Sequence, residues 1–316
     1  MAPARGRHAA RVAVTSEATL GAGTSTIDLH THTLRSDGVL EPAELARVVA
    51  ATGVTTLAIT DHDTLAAYRD LTDGSDVPPG IDLIPGVEIN ALARGIRLAE
   101  GELHILGFGM DATDDAFEAA LARQRAARRV RFERTVVRLR EIGMPIDAQL
   151  EHLDLTRDDA LGRPTIGRAL IAAGYAASVE DAFKRLIGWD GPAYVQREGM
   201  GPREAIGAIR DAGGVPVLAH FSEAPAQVSL LRELIEMGLG GLEVFYISFD
   251  AATVAAVGAV ADELRLIGTG GSDYHGDTST YAESHAALAV PDSVRKPLEN
   301  AMAAATSGAS RTIAPR

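Results

Sequence analysis

The chain has 316 residues, with 30 Lys plus Arg against 43 Asp plus Glu and a net charge of -13 when histidine is neutral. That length suits one large domain or one domain with an insertion, and 46% hydrophobic with 23% charged residues is too apolar for a disordered chain. The absence of cysteine excludes disulfides, Cys-ligated zinc, iron–sulfur clusters and a cysteine nucleophile, so any metal must be held by His, Asp and Glu. Aromatic residues make up 4% of the chain, which argues against an extended base-stacking platform.

Residues 1–25 are basic, Ala/Gly-rich and without the apolar core of a signal peptide, and read as a loose tail. Ile27–Thr31 is the first expected strand. Pro42 opens a helix that Gly53 closes. Val54–Thr60 is the second strand, Ile81–Asn90 contains the third and Glu102–Phe108 is the fourth. From about Ala112 to Tyr194 the pattern is helical. Arg163-Pro164 begins one helix that Gly174 ends, and Ser178 caps another, with Asp181 at its third position and Gly188 at its end. Strand signals return at Gly214–His220, Gly241–Tyr246 and Leu266–Gly271. The longest uncharged, mostly apolar stretch, Ala251–Ala261, lies between Asp250 and Asp262 and is too short to span a bilayer. The expectation is a cytoplasmic protein with no membrane contact and no obligate protein partner.

Seven apolar strands alternating with helices predict an α/β fold with a parallel sheet buried on both faces. Polar residues recur at the C-terminal ends of the strands, which favours a closed or nearly closed (β/α) barrel. Residues 26–111 and 193–305 are read as the barrel, 112–192 as a helical insertion over its mouth, and 306–316 as a C-terminal tail. Insertions of this kind sit in βα loops at the functional face.

Six of the nine histidines fall at or near strand ends: His30, His32, His62, His104, His220 and His275. His30 and His32 are two apart on an extended segment and therefore share a face. Taken alone the pair is equally a hydrogen-bonded strand pair, and Asp37, before Gly38, is equally a turn residue. Asp61-His62-Asp63 ends the second strand; Asp61 joins the polar cluster, and Asp63 reads as the cap of the next helix. Glu88 lies inside the apolar run I-P-G-V-E-I, where a carboxylate needs a partner, a proton or a metal. His104 lies similarly in E-L-H-I-L-G, and singly it reads as a satisfied core histidine. His220 ends V-P-V-L-A-H, and Asp273 and His275 follow the seventh strand in G-G-S-D-Y-H. Together these nine candidates (the six histidines, Asp37, Glu88 and Asp273) exceed the needs of one ion and suit two or three. Mixed imidazole and carboxylate donors favour Mn, Fe or Zn, and clustered ions are a phosphoester-hydrolysis device. His8, His152 and His285 fall outside the motifs and read as surface residues.

In order, D-L-H-T-H-T-L-R-S-D-G, A-I-T-D-H-D-T, G-V-E-I, H-I-L-G, L-A-H and G-S-D-Y-H resemble the polymerase-and-histidinol-phosphatase (PHP) family over about residues 26–111 and 193–290. G-R-P and G-P-A-Y-V look like its branch of AMP phosphatases, 3′,5′-nucleotide bisphosphatases and a 5′→3′ exoribonuclease. The resemblance implies a distorted seven-stranded (β/α) barrel and a di- or trinuclear metal centre on His30, His32, Asp37, His62, Glu88, His104, His220, Asp273 and His275. Three features depart from the branch: Thr165 stands where it has His, Phe221 stands where it has Pro, and the segment between Glu88 and His104 is longer.

The implied activity is hydrolysis of phosphomonoesters of small nucleotides, AMP or 3′,5′-bisphosphates, by a metal-bridging hydroxide. Glu88 would bridge two ions, and His220 or Asp273 would serve the leaving alkoxide. The alternatives are a 5′→3′ exoribonuclease on short 5′-phosphorylated RNA, a histidinol-phosphate phosphatase, and a non-catalytic metal-bound regulatory module, although no ligand of the pattern is missing. Residues 123–140 carry eight arginines and one glutamate. Phe132, Val136 and Leu139 share one helical face, which leaves the arginines mostly on the remainder. They form either a solvated face or an anion-binding wall in which Arg128, Arg129 and Arg163 contact substrate phosphate. The net charge disfavours long nucleic acid.

Overall fold

The structure is a computed structural model and describes residues 23–93, 101–151 and 161–312. Each apolar run between turn residues becomes a strand: β1 (Ile27–Asp28), β2 (Thr56–Ile59), β3 (Asp82–Leu92), β4 (Glu102–Phe108), β5 (Val215–Leu218), β6 (Gly241–Tyr246) and β7 (Ile267–Gly271). They form one sheet in sequential order. β1 closes back on β7, where Leu29 N donates to Gly270 O at 3.2 Å and Asp273 N to His30 O at 2.7 Å. The closure needs Gly271, because a Cβ there would lie 2.5 Å from the His30 backbone nitrogen.

The sheet is not wholly parallel, as the alternation had predicted. β4 runs antiparallel to both β3 and β5. Only Ala93–Gly101 separates β3 from β4, and a parallel crossover needs about a dozen residues or more. A short connection can only return the chain as a hairpin. The first half of β3 pairs with β2 and its second half with β4. This carries Glu88 into the barrel interior.

Helices α1 (Pro42–Ala50) and α2 (Ala66–Asp73) follow β1 and β2, and α7 (Pro202–Asp211) leads into β5. Beyond it, α8 (Val228–Met237), α9 (Ala251–Leu264), α10 (Tyr281–Ala287) and α11 (Arg295–Thr312) complete the outer layer. Among the described residues no helix is long and apolar enough to cross a membrane.

Reversal of β4 also moves the start of the insertion. Phe108 lies beside Val215, at the beginning of β5, so the chain leaves the barrel at the end opposite the mouth. The long helix α3 (Asp115–Glu141) then carries it back; at about 1.5 Å per residue its 27 residues span about 40 Å. Its first half, with Phe117 and Leu121, packs on Ile206 and Ile209 of α7 in the main barrel core. Its second half, with Phe132 and Leu139, joins a separate core with α4 (Asp147–Leu150), α5 (Arg163–Ala172), α6 (Val179–Ala182) and the π-helical turn Phe183–Ile187.

Two boundary expectations and one surface assignment shift. Ser25 is buried and its hydroxyl donates to Leu288 O, so ordered packing begins before residue 26; residues 1–22, including His8, lie outside the described residues. α11 continues through Thr312, which makes most of the expected C-terminal tail helical. His285 is buried, with Nε2 2.8 Å from Ser25 O, because α10 packs over the chain just before β1. His152 also lies outside the described residues.

Because α3 is anchored to the barrel by a few apolar side chains, Leu121→Ala is expected to lower unfolding free energy by about 2–5 kcal/mol. Urea denaturation measures this, and a loss below about 1 kcal/mol would mean that α3 is held mainly by its polar contacts.

Candidate metal centre

The mouth is the end at which β1, β2, β5 and β7 finish and β4 begins. Strand pairing sets the spacing there: Asp63 N donates to Glu88 O at 2.9 Å and Glu88 N to Asp61 O at 3.2 Å. Ala219 N donates to His104 O at 2.9 Å, which brings the end of β5 alongside β4. All nine residues singled out in the sequence meet at this point. They form three groups of possible ligand atoms, each within 4.8 Å: His32, Asp37, His62 and His275; His30, His32, Glu88 and Asp273; and Glu88, His104 and His220.

Glu88 joins the groups. Its Oε2 lies 3.2 Å from His32 Nε2, 3.2 Å from His62 Nδ1 and 3.4 Å from His30 Nε2. Its Oε1 lies 2.6 Å from His104 Nδ1 and 3.4 Å from His220 Nε2. Asp273 Oδ1 is 3.2 Å from both His30 and His32 and 3.5 Å from His275. Asp37 reaches His62 at 3.4 Å and His275 at 3.3 Å.

The electrostatics describe a cage built for cations. Burial would raise Asp37, but His62, His275 and His32 hold it well below the usual carboxylate range. Against the effect of burial, Asp273, Glu243 and Glu88 raise His30 well above an ordinary imidazole. Burial also opposes His275, which Asp273 and Asp37 push up to about 10. Burial drives His62 well below the ordinary value despite Asp37 and Glu88. Buried His32 Nε2, Asp37 Oδ1 and His62 Nδ1 have no hydrogen-bond partner, and unsatisfied buried donors of this kind call for a ligand. Divalent cations would meet these atoms and displace the protons that the carboxylates otherwise attract. The donor set therefore fits metal.

Several residues around the cage were not singled out in the sequence. Glu243, fully buried on β6, takes His30 Nδ1 at 3.1 Å and the His220 backbone N–H at 2.7 Å. Its signal was the same as that of Glu88: a carboxylate inside an apolar strand, G-L-E-V-F-Y. Tyr246 donates to Asp273 Oδ2 at 3.1 Å. Asn90 places Nδ2 2.6 Å from His104 Nε2. Arg168 of α5 donates to the Asp37 carbonyl and pairs with Asp277, tying the insertion to the ligand loop. His220 (φ 33°) and Asp273 (φ 49°) occupy left-handed backbone, a strained conformation that recurs at functional sites.

Two readings of acidic residues change. Asp63 does not cap α2, whose N-cap is Leu65 without a side-chain bond. Its carboxylate is fully buried and pairs with Arg128 and, at 3.5 Å, with Arg197. Asp61 joins none of the three groups. It accepts from Thr33 N at 2.7 Å and Thr33 Oγ1 at 2.6 Å and so fixes the loop that carries His32 and Asp37.

The arginines of α3 also fall differently. Arg125, Arg128 and Arg131 lie on its buried stripe together with Phe117, Leu121 and Phe132, at the three- and four-residue spacing of one helical face. Arg128 donates to Asp63 and Asn90 Oδ1. Arg131 donates to Val195 O at 2.9 Å and Glu102 at 3.1 Å. Burial would raise Glu102, but Arg197, Arg131 and Arg163 hold it at about 2. A cavity of about 230 Å³ lies between the cage and the insertion. Arg128, Arg131, Phe132, Arg163 and Phe183 line it together with Asp37, Glu88, His104, His220 and Asp273. Arg129 is not among the lining residues, since the next helical position points away from the stripe. Neither is Thr165. Phe221 packs in the main core, and residues 94–100 of the long segment between Glu88 and His104 lie outside the described residues.

A barrel whose mouth gathers six imidazoles and three carboxylates around a small cavity belongs to the class of metal-dependent hydrolases. The chain is 33% identical over 258 residues to a 5′-3′ exoribonuclease of Haemophilus influenzae, covering 80% of this chain and 90% of the relative. It is 28% identical over 259 residues to a 3′,5′-nucleoside bisphosphate phosphatase of Chromobacterium violaceum, covering 79% and 87%. A solved structure from Bifidobacterium adolescentis, described as a metal-dependent phosphoesterase, superposes with a TM-score of 0.73 at 29% identity, covering 87% of this chain and 96% of the other. No family model matches the chain. The chain belongs to the PHP family of metal-dependent phosphoesterases, hydrolases of phosphoester bonds.

Glu243 holds the His30 imidazole and the backbone of His220. Glu243→Gln is expected to weaken metal retention by about ten- to a hundredfold. Metal content after dialysis against graded chelator reads this, and retention equal to the parent protein would reduce Glu243 to a packing residue.

Proposed function

We propose that the chain hydrolyses phosphomonoesters of small nucleotides, AMP or nucleoside 3′,5′-bisphosphates, at a centre of two or three divalent ions, with manganese the leading choice over iron and zinc. Asp37, His62 and His275 would hold one ion and His30, His32 and Asp273 a second. His104 and His220 would hold a third, with Glu88 shared between them. When bound, such ions activate a water for attack on phosphorus and neutralise the charge on its oxygens. Glu243 fixes the His30 ring, and Tyr246 fixes Asp273. His220 and Asp273 both line the cavity, and one or the other would serve the leaving-group proton.

The observation that carries the substrate reading is the composition of the cavity. Its metal donors face a wall of Arg128, Arg131 and Arg163 beside Phe132 and Phe183. The Arg163 guanidinium sits 4.9 Å over the Phe183 ring. Guanidinium forks suit phosphate oxygens, and the aromatic pair suits a base. Arg128 is engaged by Asp63 and Asn90 and sets the wall; Arg163, which opens α5 and lines the cavity, is the arginine assigned to substrate phosphate. Arg129, expected beside it, is given no role.

A second reading, cleavage of short 5′-phosphorylated RNA from its 5′ end, is favoured by the likeness to the Haemophilus influenzae exoribonuclease. The test is phosphate or nucleotide release with added Mn from AMP, adenosine 3′,5′-bisphosphate, histidinol phosphate and a short 5′-phosphorylated RNA. The nucleotides are expected to turn over in preference to histidinol phosphate. Arg163→Ala should raise KM for the bisphosphate by about ten- to a hundredfold, while Arg129→Ala behaves like the parent. Preference for histidinol phosphate, or an Arg163→Ala variant identical to the parent, contradicts the reading.

A further inference from the structure

The chain contains one tryptophan, and the structure leaves it outside every hydrophobic core. Trp189 is 54% exposed, an unusual placement for the largest apolar side chain. It is nevertheless held in place. Its ring lies against Gly101, where φ is +68° and a Cβ would come within 2.8 Å of Cζ3. It also lies beside Tyr194, with ring centroids 5.3 Å apart and planes tilted by 52°.

This aromatic pair adjoins residues that line the proposed substrate cavity. Gly101 directly precedes Glu102, a lining residue. Arg131, another lining residue, carries its guanidinium 5.8 Å from the centroid of the Tyr194 ring. Its donation to Val195 O fixes it beside that ring. From the metal cage outward, a ligand meets the cavity, then Arg131, then Tyr194 and Trp189. A fixed guanidinium beside an aromatic pair whose outer ring is exposed is an arrangement on which a base can stack, and such stacking tolerates any base. The cavity of about 230 Å³ is too small to hold more than one nucleotide.

We propose that Trp189 and Tyr194 form a base-stacking shelf on the cavity rim that takes the second nucleotide of a short single-stranded RNA. The proposal rests on the nucleotide reading given above and extends it: the site accepts a substrate longer than the mononucleotide its cavity encloses. The shelf consists of two rings only, which matches the low aromatic content and the net charge that disfavours long nucleic acid.

Because the protein has a single tryptophan, its fluorescence reports this ring alone. The Mn-loaded protein is titrated with a 5′-phosphorylated trinucleotide carrying hydrolysis-resistant phosphorothioate linkages, and separately with adenosine 3′,5′-bisphosphate. The trinucleotide should quench the emission and the bisphosphate should leave it nearly unchanged. With the trinucleotide as a competitive inhibitor of bisphosphate hydrolysis, Trp189→Ala should weaken its inhibition constant about tenfold, and Trp189→Phe should recover most of that loss. The bisphosphate KM, which does not draw on the shelf, should stay at the parent value. Absence of quenching, equal quenching by both ligands, or a Trp189→Ala variant that loses bisphosphate affinity to the same degree overturns the shelf. Failure of the parent protein to hydrolyse any nucleotide would instead overturn the substrate reading; fluorescence with the trinucleotide still decides the shelf in that case.

Discussion

One carboxylate sets the terms for the rest of the molecule. Glu88 is 1% exposed and stands within 3.4 Å of five imidazoles. A lone buried carboxylate carries a desolvation cost of several kcal/mol, and its neighbours must offset it. Here the offset comes from residues on four different strands or strand ends, those of β1, β2, β4 and β5, so the barrel must close for the charge to be tolerated. The long strand β3, which exchanges β2 for β4 as partner at its midpoint, places Glu88 at the centre. The reversed strand β4 brings His104 to it from the other side. A cage of this kind is unfavourable when empty and favourable around cations, which couples metal binding to fold stability.

Around the cage lies a ring of second contacts that fix its geometry. Glu243 holds His30 and the His220 backbone, Asp61 holds the loop of His32 and Asp37, and Tyr246 holds Asp273. The insertion contributes in two ways. Arg168 clasps the Asp37 carbonyl, and Arg128, buried against Asp63 and Asn90, ties α3 to the residue that touches His104. Removing one partner from a buried pair costs far more than the pair contributes net. These arginines therefore set register between the insertion and the barrel, and the cavity wall follows from that register.

Much of this was legible in the sequence. Most of the nine cage residues stand out because a polar residue inside or at the end of an apolar strand has no packing reason to be there, whereas Asp37, in a turn sequence, was marked by its company and by the family resemblance; β4 and β6 were bounded to the residue. The direction of β4 was not legible from hydrophobic period, which is the same for a parallel and an antiparallel strand. The length of the connection after β3 held the answer. The arginine stripe was misread for a related reason. Long aliphatic stems let Arg125, Arg128 and Arg131 occupy an inward face beside Phe117 and Leu121, so charge alone did not mark the outer side of α3. Asp63 looked like a cap because a cap and a buried ion-pair partner share the same position after a strand. Trp189 had no signal beyond its rarity, since its packing against Gly101, distant in sequence, is a tertiary contact.

The account stands on Glu88 being shared among metal ions. Elemental analysis of the parent protein and of Glu88→Gln, both purified without chelator and checked for equal helicity, tests this most directly. Gln keeps the shape but loses the charge, and its amide nitrogen cannot ligate. The parent should carry more than one equivalent of divalent metal, and the variant should lose at least one of them together with about a hundredfold or more of its phosphoesterase turnover. A variant that keeps the full metal complement and near-parent turnover would make Glu88 a hydrogen-bonded core residue and contradict the account.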